Sequence, residues 1–277
     1  PMSSSILDPP RLDRGLAVAS SLLAATVWGS ALVFGAYILV FYALAMVTDD
    51  SSRWNTILPA LYVPGGEAGN LGIGLHFAGG GLILVLGSVQ FLEGLRRRAP
   101  ALHRWLGRVY VVAALAAAVG GLVFIAVRGT VGGVWMDAGF GLYGILMLGA
   151  ALQTVRHAVA RRLDAHRAWA IRLYALAIGS WLYRMDYAAW FLTTGGIGHD
   201  STFTGPFDQF MDFAFYLPSL LVAEVYLRAR PRTLPRPAAV LATLAMHIAT
   251  LYVIVATTYF SVELWIPHMA GALTAGG

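Results

Sequence analysis

Uncharged apolar runs alternate with short arginine-rich segments along this chain. Residues 16–47, 109–127 and 138–155 carry no charged side chain at all. An apolar run of about 20 residues crosses a bilayer as a helix, the form in which it satisfies its own backbone hydrogen bonds. The same reading predicts seven spans, at 16–47, 75–95, 109–127, 138–155, 168–191, 210–227 and 238–261. Between them lie turn formers such as Pro64-Gly65-Gly66, Gly132-Gly133 and Gly195-Gly196. The expected fold is an all-α integral membrane protein of seven transmembrane helices, forming a single transmembrane domain over 1–277. Spans 2 to 5 are expected to make a four-helix core. A count of six stays open if the first or last span lies at the periphery.

Charge sets the orientation. All 19 basic residues are arginine, and 15 of them fall in four clusters: Arg11/Arg14, Arg96 to Arg108, Arg156 to Arg167, and Arg228 to Arg236. Short Arg-rich loops stay cytoplasmic, which predicts the N-terminus inside and the C-terminus outside. Under that topology only Arg53 and Arg128 fall in outside loops, and Trp54, Trp105, Tyr110, Trp135, Trp190 and Trp265 fall near span ends, where an interfacial belt belongs. The polar residues 1–14 precede an apolar run longer than a signal-peptide core, so the first span is expected to be retained. A 58% hydrophobic, 12% charged composition excludes an ordinary soluble domain. The net charge of +5 implies no nucleic acid, because the arginines sit where topology and anionic headgroups require them. With no cysteine and no His-x-x-x-His, disulfides, thiolate ligands and a zinc-hydrolase motif are absent, and no metal site is expected.

Polar side chains within or at the ends of spans are costly in lipid and so are candidates for function. Six gather at the cytoplasmic boundary: Gln90, His103, Arg104, His166, Arg172 and Glu224. The segments Leu102-His103-Arg104-Trp105…Arg108…Tyr110 and Ala165-His166-Arg167…Trp169…Arg172…Tyr174 repeat one design, as a duplicated helix pair would. Two histidines at matched depth suit a haem or a quinone, while interfacial snorkelling accounts for them equally. At the opposite boundary stand His76, expected to open span 2, with Arg184 and Asp186. Arg184 keeps its proton and needs an acceptor, so it is expected to pair with at least one carboxylate among Asp186, Glu67 and Asp137, with His76 facing the same space. Arg184 and Asp186, two apart, do not share a helix face. His247 is expected to be a hydrogen-bonding residue, and the loop residues His157 and His199 carry no assigned role. Dense glycines in spans 2 to 4, among them Gly79-Gly80-Gly81, Gly87 and Gly120-Gly121, suit close helix packing.

The pattern Leu75-His76…Gly79-Gly80…Gly87…Gln90-Phe91, then Leu102-His103-Arg104…Gly107-Arg108-Val109-Tyr110, then His166-Arg167-Ala168-Trp169…Arg172…Tyr174-Ala175 resembles bacterial membrane proteins of the DUF2306 family. Gly139-Phe140-Gly141, Arg184 and Pro218…Val222-Ala223-Glu224 extend the resemblance over roughly residues 70–228, leaving 1–69 and 229–277 as flanking segments. One departure is Ala170, where relatives often carry methionine. The resemblance implies a polytopic protein of the bacterial cytoplasmic membrane and supplies no chemistry.

Three functions remain open. The first is a redox module binding haem b or quinone at the cytoplasmic ends of spans 2, 3, 5 and 6. The second is a non-catalytic accessory subunit or assembly factor bound to other membrane subunits. The third is a transporter or lipid-binding protein, for which the usual pointer is a broken helix; only Pro218 interrupts a span. Beyond the lipid bilayer no partner is fixed. The orientation is testable: alkaline phosphatase fused after Gly277 should be active and a green fluorescent protein there dark, and the opposite pair of readings would reverse the topology.

Overall fold

The structure, a computed structural model, describes residues 11–228 and 235–274. The segment 1–10, together with Arg230 and Arg232 of the fourth basic cluster, lies outside the described residues. Helix α1 (Arg11–Tyr37) continues through a π-helical turn, Ile38–Ala43, into α2 (Leu44–Val47). After a loop containing the 3₁₀ turn Ser51–Thr56 come α3 (Glu67–Gly87) and the short α4 (Glu93–Arg98). Then follow α5 (Pro100–Arg128), α6 (Gly133–Val159), α7 (Leu163–Ala177) and α8 (Gly179–Thr194). The chain closes with α9 (Pro206–Ala214), α10 (Leu217–Arg228), α11 (Arg236–Phe260) and, past a second π turn, α12 (Ile266–Thr274).

Among the described residues, six helical stretches are long and apolar enough to cross a membrane: Arg14–Val47, Glu67–Phe91, Pro100–Arg128, Gly133–Val159, Pro206–Arg228 and Arg236–Thr274. The fifth expected span, 168–191, falls on two consecutive helices of 15 and 16 residues. The break at Ile178 has an identifiable cause. Neighbouring side chains take up carbonyls near it: the Tyr143 hydroxyl donates to Leu176 O at 2.9 Å and Ser219 to Ala175 O at 3.0 Å. Gly179, just past the break, faces the rings of Tyr143 and Phe215. A second break, at Phe215–Tyr216, separates α9 from α10. Span 6 is therefore interrupted before Pro218, which lies in the first turn of α10.

Contact pairs give the direction of each helix. Gly72 meets Gly120, His76 meets Ala117 and Gly79 meets Ala113, so α3 and α5 run antiparallel. The same inverse numbering relates Gly35 to Leu84 and Met46 to Gly74 between α1 and α3, and Leu122 to Gly144 between α5 and α6. Between α6 and α7 it relates Tyr143 to Leu176 and Thr154 to His166, and between α7 and α10 Ala175 to Ser219. By contrast α1 and α11 rise together, with Ser30 on Thr257 and Phe34 on Trp265. All the helix ends that carry the described arginine clusters consequently lie at one end of the bundle. The loops 48–66, 129–132 and 195–205 lie at the other.

Two apolar clusters fill the bundle. One surrounds α1 and contains Phe34, Tyr37, Trp54, Trp181 and Trp265. The other joins α3, α5, α6, α7 and α8, the expected core, and adds Met211 of α9 with Phe215 and Tyr216 of the break after it. The helix α3 begins at Glu67, eight residues before the expected start. His76 therefore does not open the span; it sits in the third turn of the helix. Gly72, ahead of the expected span, is contact surface, as is Gly120: a Cβ on Gly72 would lie 2.9 Å from Gly120 O, and one on Gly120 would lie 2.9 Å from His76 N. In lipid, where apolar surface gains little by leaving the solvent, such close backbone approach holds helices together.

Adjacent glycines on α3 should respond oppositely to alanine. A Cβ on Gly79 would meet Ala117 N at 2.9 Å and crowd Ala113 O, whereas one on Gly80 meets nothing within 4 Å. We expect Gly79→Ala to lower stability by about 1–3 kcal/mol through overpacking. Gly80→Ala should raise it by about 0.5–1 kcal/mol through backbone entropy. Melting of the detergent-solubilised variants compares the two; equal shifts would show that α3 and α5 are not packed in this register.

Candidate functional site

A cavity of about 380 Å³ opens between α3, α5, α6 and α8, in the half of the bundle away from the arginine-rich end. Residues 57–61 of the first loop roof it. Arg128, at the end of α5, fastens that roof by donating to Ala60 O at 3.1 Å, Leu61 O at 3.0 Å, Gly66 O at 3.1 Å and Asn70 Oδ1 at 3.1 Å. Gly69 leaves the room it needs, since a Cβ there would sit 2.6 Å from its guanidinium. The walls are largely apolar, with Tyr42, Phe77, Phe124, Phe140, Tyr143, Tyr183 and Phe215 among the lining side chains.

Besides Arg128, Thr130, Ser180 and three tyrosines, the polar residues lining this largely apolar space are His76 and Arg184. His76 Nδ1 lies 2.9 Å from Ala117 O. A carbonyl only accepts, so Nδ1 carries the hydrogen and Nε2 presents a lone pair, with no protein partner among the described residues. Arg184 donates to Ser180 O of its own helix at 3.3 Å and lies over the rings of Phe34 at 5.3 Å and Tyr183 at 5.5 Å. Both side chains line the same cavity. The expected carboxylate is missing: among the described residues no ion pair involves Arg184. Ring faces and a helical carbonyl take the place of Asp186, Glu67 and Asp137. Asp186, two residues on, turns toward α11, where Tyr252 is its electrostatic neighbour, and Asp137 accepts from Thr130 N.

The six inner residues do not form one site around a cavity; none of them lines the space just described. Arg172 and Glu224 form a two-pronged ion pair joining α7 to α10. Glu224 also takes Arg228 at 3.2 Å, and Arg172 stacks over Trp169 at 4.7 Å. His166 Nδ1 bonds Thr154 O at 3.0 Å across the α6–α7 hairpin. His103 lies in the neighbourhood of Arg96 and His166, while Arg104 is exposed beside it. Gln90 lies against Gly107, and Gln90 Nε2 and His103 Nδ1 are buried without hydrogen-bond partners. The duplicated motif converges only at its last residue: Tyr110 and Tyr174 both pack on Gly87.

A family model described as predicted membrane protein (DUF2306) matches residues 73–227, more than half of the chain. The chain belongs to this family. The DUF2306 region contains His76, Arg184, every inner candidate and both helix breaks, while Tyr42 and the loop 57–61 that close the cavity precede it. No curated protein and no solved structure matches the chain.

One polar group escaped the sequence reading. Asp208 is completely buried on the first turn of α9. It accepts from the Tyr187 hydroxyl at 2.6 Å, from His199 Nδ1 at 2.7 Å, and from the backbone N–H groups of Asp200 and Gly205, each at 3.1 Å. Tyr183 and Tyr187, one helical turn apart, were the available signal, because that spacing puts both hydroxyls on one face of α8. His199 looked like a solvated loop residue, and its partner could not be read from a sequence.

Asp200 shapes the loop that holds His199. The Thr202 hydroxyl, then the Thr204 and Thr202 N–H groups and the Thr204 hydroxyl, hold its carboxyl below the usual carboxylate range. A depressed folded-state pKa means that the stabilisation is present above the unfolded value of about 3.9 and is lost as pH falls through the folded one. Limited proteolysis of the 195–205 loop should therefore be unchanged between pH 7 and pH 4. Asp200→Asn should speed cleavage at pH 7, and equal rates for the two proteins would remove Asp200 from the loop's support.

Proposed function

We propose that this protein is a quinone-binding membrane module, with the headgroup seated between His76 and Arg184. Its helices make seven spans, the α7–α8 pair being the fifth, with the arginine-rich end in the cytoplasm and the cavity in the outer half of the bacterial cytoplasmic membrane. The single observation that carries this reading is a guanidinium with no carboxylate partner facing a largely apolar cavity with aromatic side chains in its walls. An unpaired charge in low dielectric is costly, and a ligand oxygen would offset part of that cost. The lone pair on His76 selects among ligands. It would repel a carboxylate, whereas a quinol hydroxyl donates to it and a quinone carbonyl accepts from Arg184. The aromatic side chains in the walls favour a ring over an acyl chain, and cavities of this size hold small-molecule headgroups. Electrons would pass to or from a one-electron carrier in a partner subunit.

The inner residues support a haem less well. Arg172 and Glu224 satisfy each other, and His166 already bonds a carbonyl. We assign that group to fastening α7 against α6 and α10. A second reading, carriage of an anionic amphiphile, is favoured by the two broken helices beside the cavity.

The test is binding of decylubiquinone to the full chain in nanodiscs, with oleate as competitor. Arg184→Met should weaken binding by about ten- to a hundredfold, the loss of one charge-assisted hydrogen bond of roughly 1.5–3 kcal/mol. Because no described carboxylate is stranded by that change, the melting temperature should stay close to that of the wild type. Saturable oleate binding without decylubiquinone binding would select the amphiphile reading. A large loss of stability in Arg184→Met would make the arginine a structural residue.

A further inference from the structure

The cavity and the loop end of the bundle are joined by a continuous chain of hydrogen bonds. Tyr183 lines the cavity, and its hydroxyl lies 3.1 Å from that of Tyr187. Tyr187 donates to Asp208 Oδ1 at 2.6 Å, and the same oxygen lies 2.7 Å from His199 Nδ1. Tyr183, Tyr187 and Asp208 are buried, while the His199 side chain is 19% exposed. The order of donors follows from the groups themselves. Each phenol has one hydrogen. Tyr187 gives its hydrogen to the carboxylate, so its oxygen is free to accept the one from Tyr183. The Tyr183 oxygen in turn is left to accept a proton from whatever occupies the cavity. Every hydroxyl in the row points away from the cavity and toward the loops.

We propose that Tyr183, Tyr187, Asp208 and His199 form a proton-release path from the cavity to the aqueous face at the loop end of the bundle. The path rests on the quinone reading above and gives that site a direction. Oxidation of a bound quinol yields the quinone, two electrons and two protons. The electrons leave to a one-electron acceptor protein. One proton at a time enters at the Tyr183 oxygen while the Tyr183 hydrogen passes to Tyr187 and the Tyr187 hydrogen to Asp208. The His199 ring then turns so that its free nitrogen lone pair faces Asp208 and takes the proton there, and the imidazolium loses one from its other nitrogen to water; rotation of the hydroxyls resets the chain. Charged and titratable neighbours of the path are few. Asp200 is engaged by Thr202 and Thr204. Asp212, one turn along α9 from Asp208, is fully buried with neither carboxylate oxygen hydrogen-bonded. Tyr216 lies near Asp212, and Arg184 near Tyr183.

The experiment uses the full chain in nanodiscs loaded with decylubiquinol. A flash of photo-oxidised ruthenium tris(bipyridine) supplies the one-electron oxidant, and a membrane-impermeant pH dye follows proton release. Tyr187→Phe removes one hydroxyl and keeps the ring, so release should slow at least tenfold while the decylubiquinol Kd stays within twofold. His199→Ala should slow it similarly, and added imidazole should restore the rate, which loss of a purely structural histidine would not permit. Asp208 also caps α9, so these two variants decide the matter even if Asp208→Asn does not fold. Wild-type release rates in Tyr187→Phe, or in His199→Ala without imidazole, overturn the path and leave the quinone reading standing. A wild-type chain that binds no decylubiquinol overturns both.

Discussion

Between α3 and α5 the two backbones approach at Gly72, Gly79 and Gly120, with no side chain between them at these positions. Lipid gives apolar helices little reason to associate, so contact of this kind has to come from shape. It also places the chemistry. The same register that seats Gly120 against the backbone of His76 brings the His76 ring within hydrogen-bonding distance of Ala117 O on α5. That bond fixes the tautomer and leaves Nε2 as an acceptor. Alter the register by one residue and the imidazole would turn to another face.

Around that pair the bundle is built to keep a space open. The breaks after α7 and α9 put Gly179 and Phe215 against Tyr143, and the two apolar clusters meet on either side of α8. Arg128 draws the first loop over the cavity through four hydrogen bonds to oxygens, three of them backbone carbonyls. A guanidinium held this way serves as a clasp: its donors are spent on the loop, and the fold has no need of an acid there. Arg184 is the opposite case, since its one protein oxygen is a carbonyl of its own helix. Two arginines near one cavity thus do different work, and the difference lies in their partners.

At the other end, Arg172 does find an acid. The Arg172–Glu224 pair, with Arg228 and Trp169, links α7 and α10 where the helices meet the arginine-rich loops. Such a pair resists separation because breaking it strands a charge at a semi-buried interface. The repeated His-Arg-Trp-Arg-Tyr design explains why the two segments looked alike, yet only Tyr110 and Tyr174 come together. Trp105 is exposed to lipid or headgroups while Trp169 is covered by Arg172.

The sequence by itself determined the all-helical class, the clustering of arginines at one end and the family, because these depend on composition, charge order and local motifs. It also placed His76 and Arg184 in one space, from their common position toward the end of the bundle opposite the arginine clusters. What it could not supply was anything decided by partners distant in the chain. The start of α3 was obscured because glycine signals a turn and a close helix contact with the same letter. The break at Ile178 has no proline to announce it; hydroxyls from Tyr143 and Ser219, which come from other helices, take up the nearby carbonyls. Arg184 lost its expected acid because ring faces of Phe34 and Tyr183 lie over it. The row from Tyr183 to His199 exists only once α8 and α9 are packed, since a hydrogen bond spans 3 Å of space irrespective of the residues between its ends.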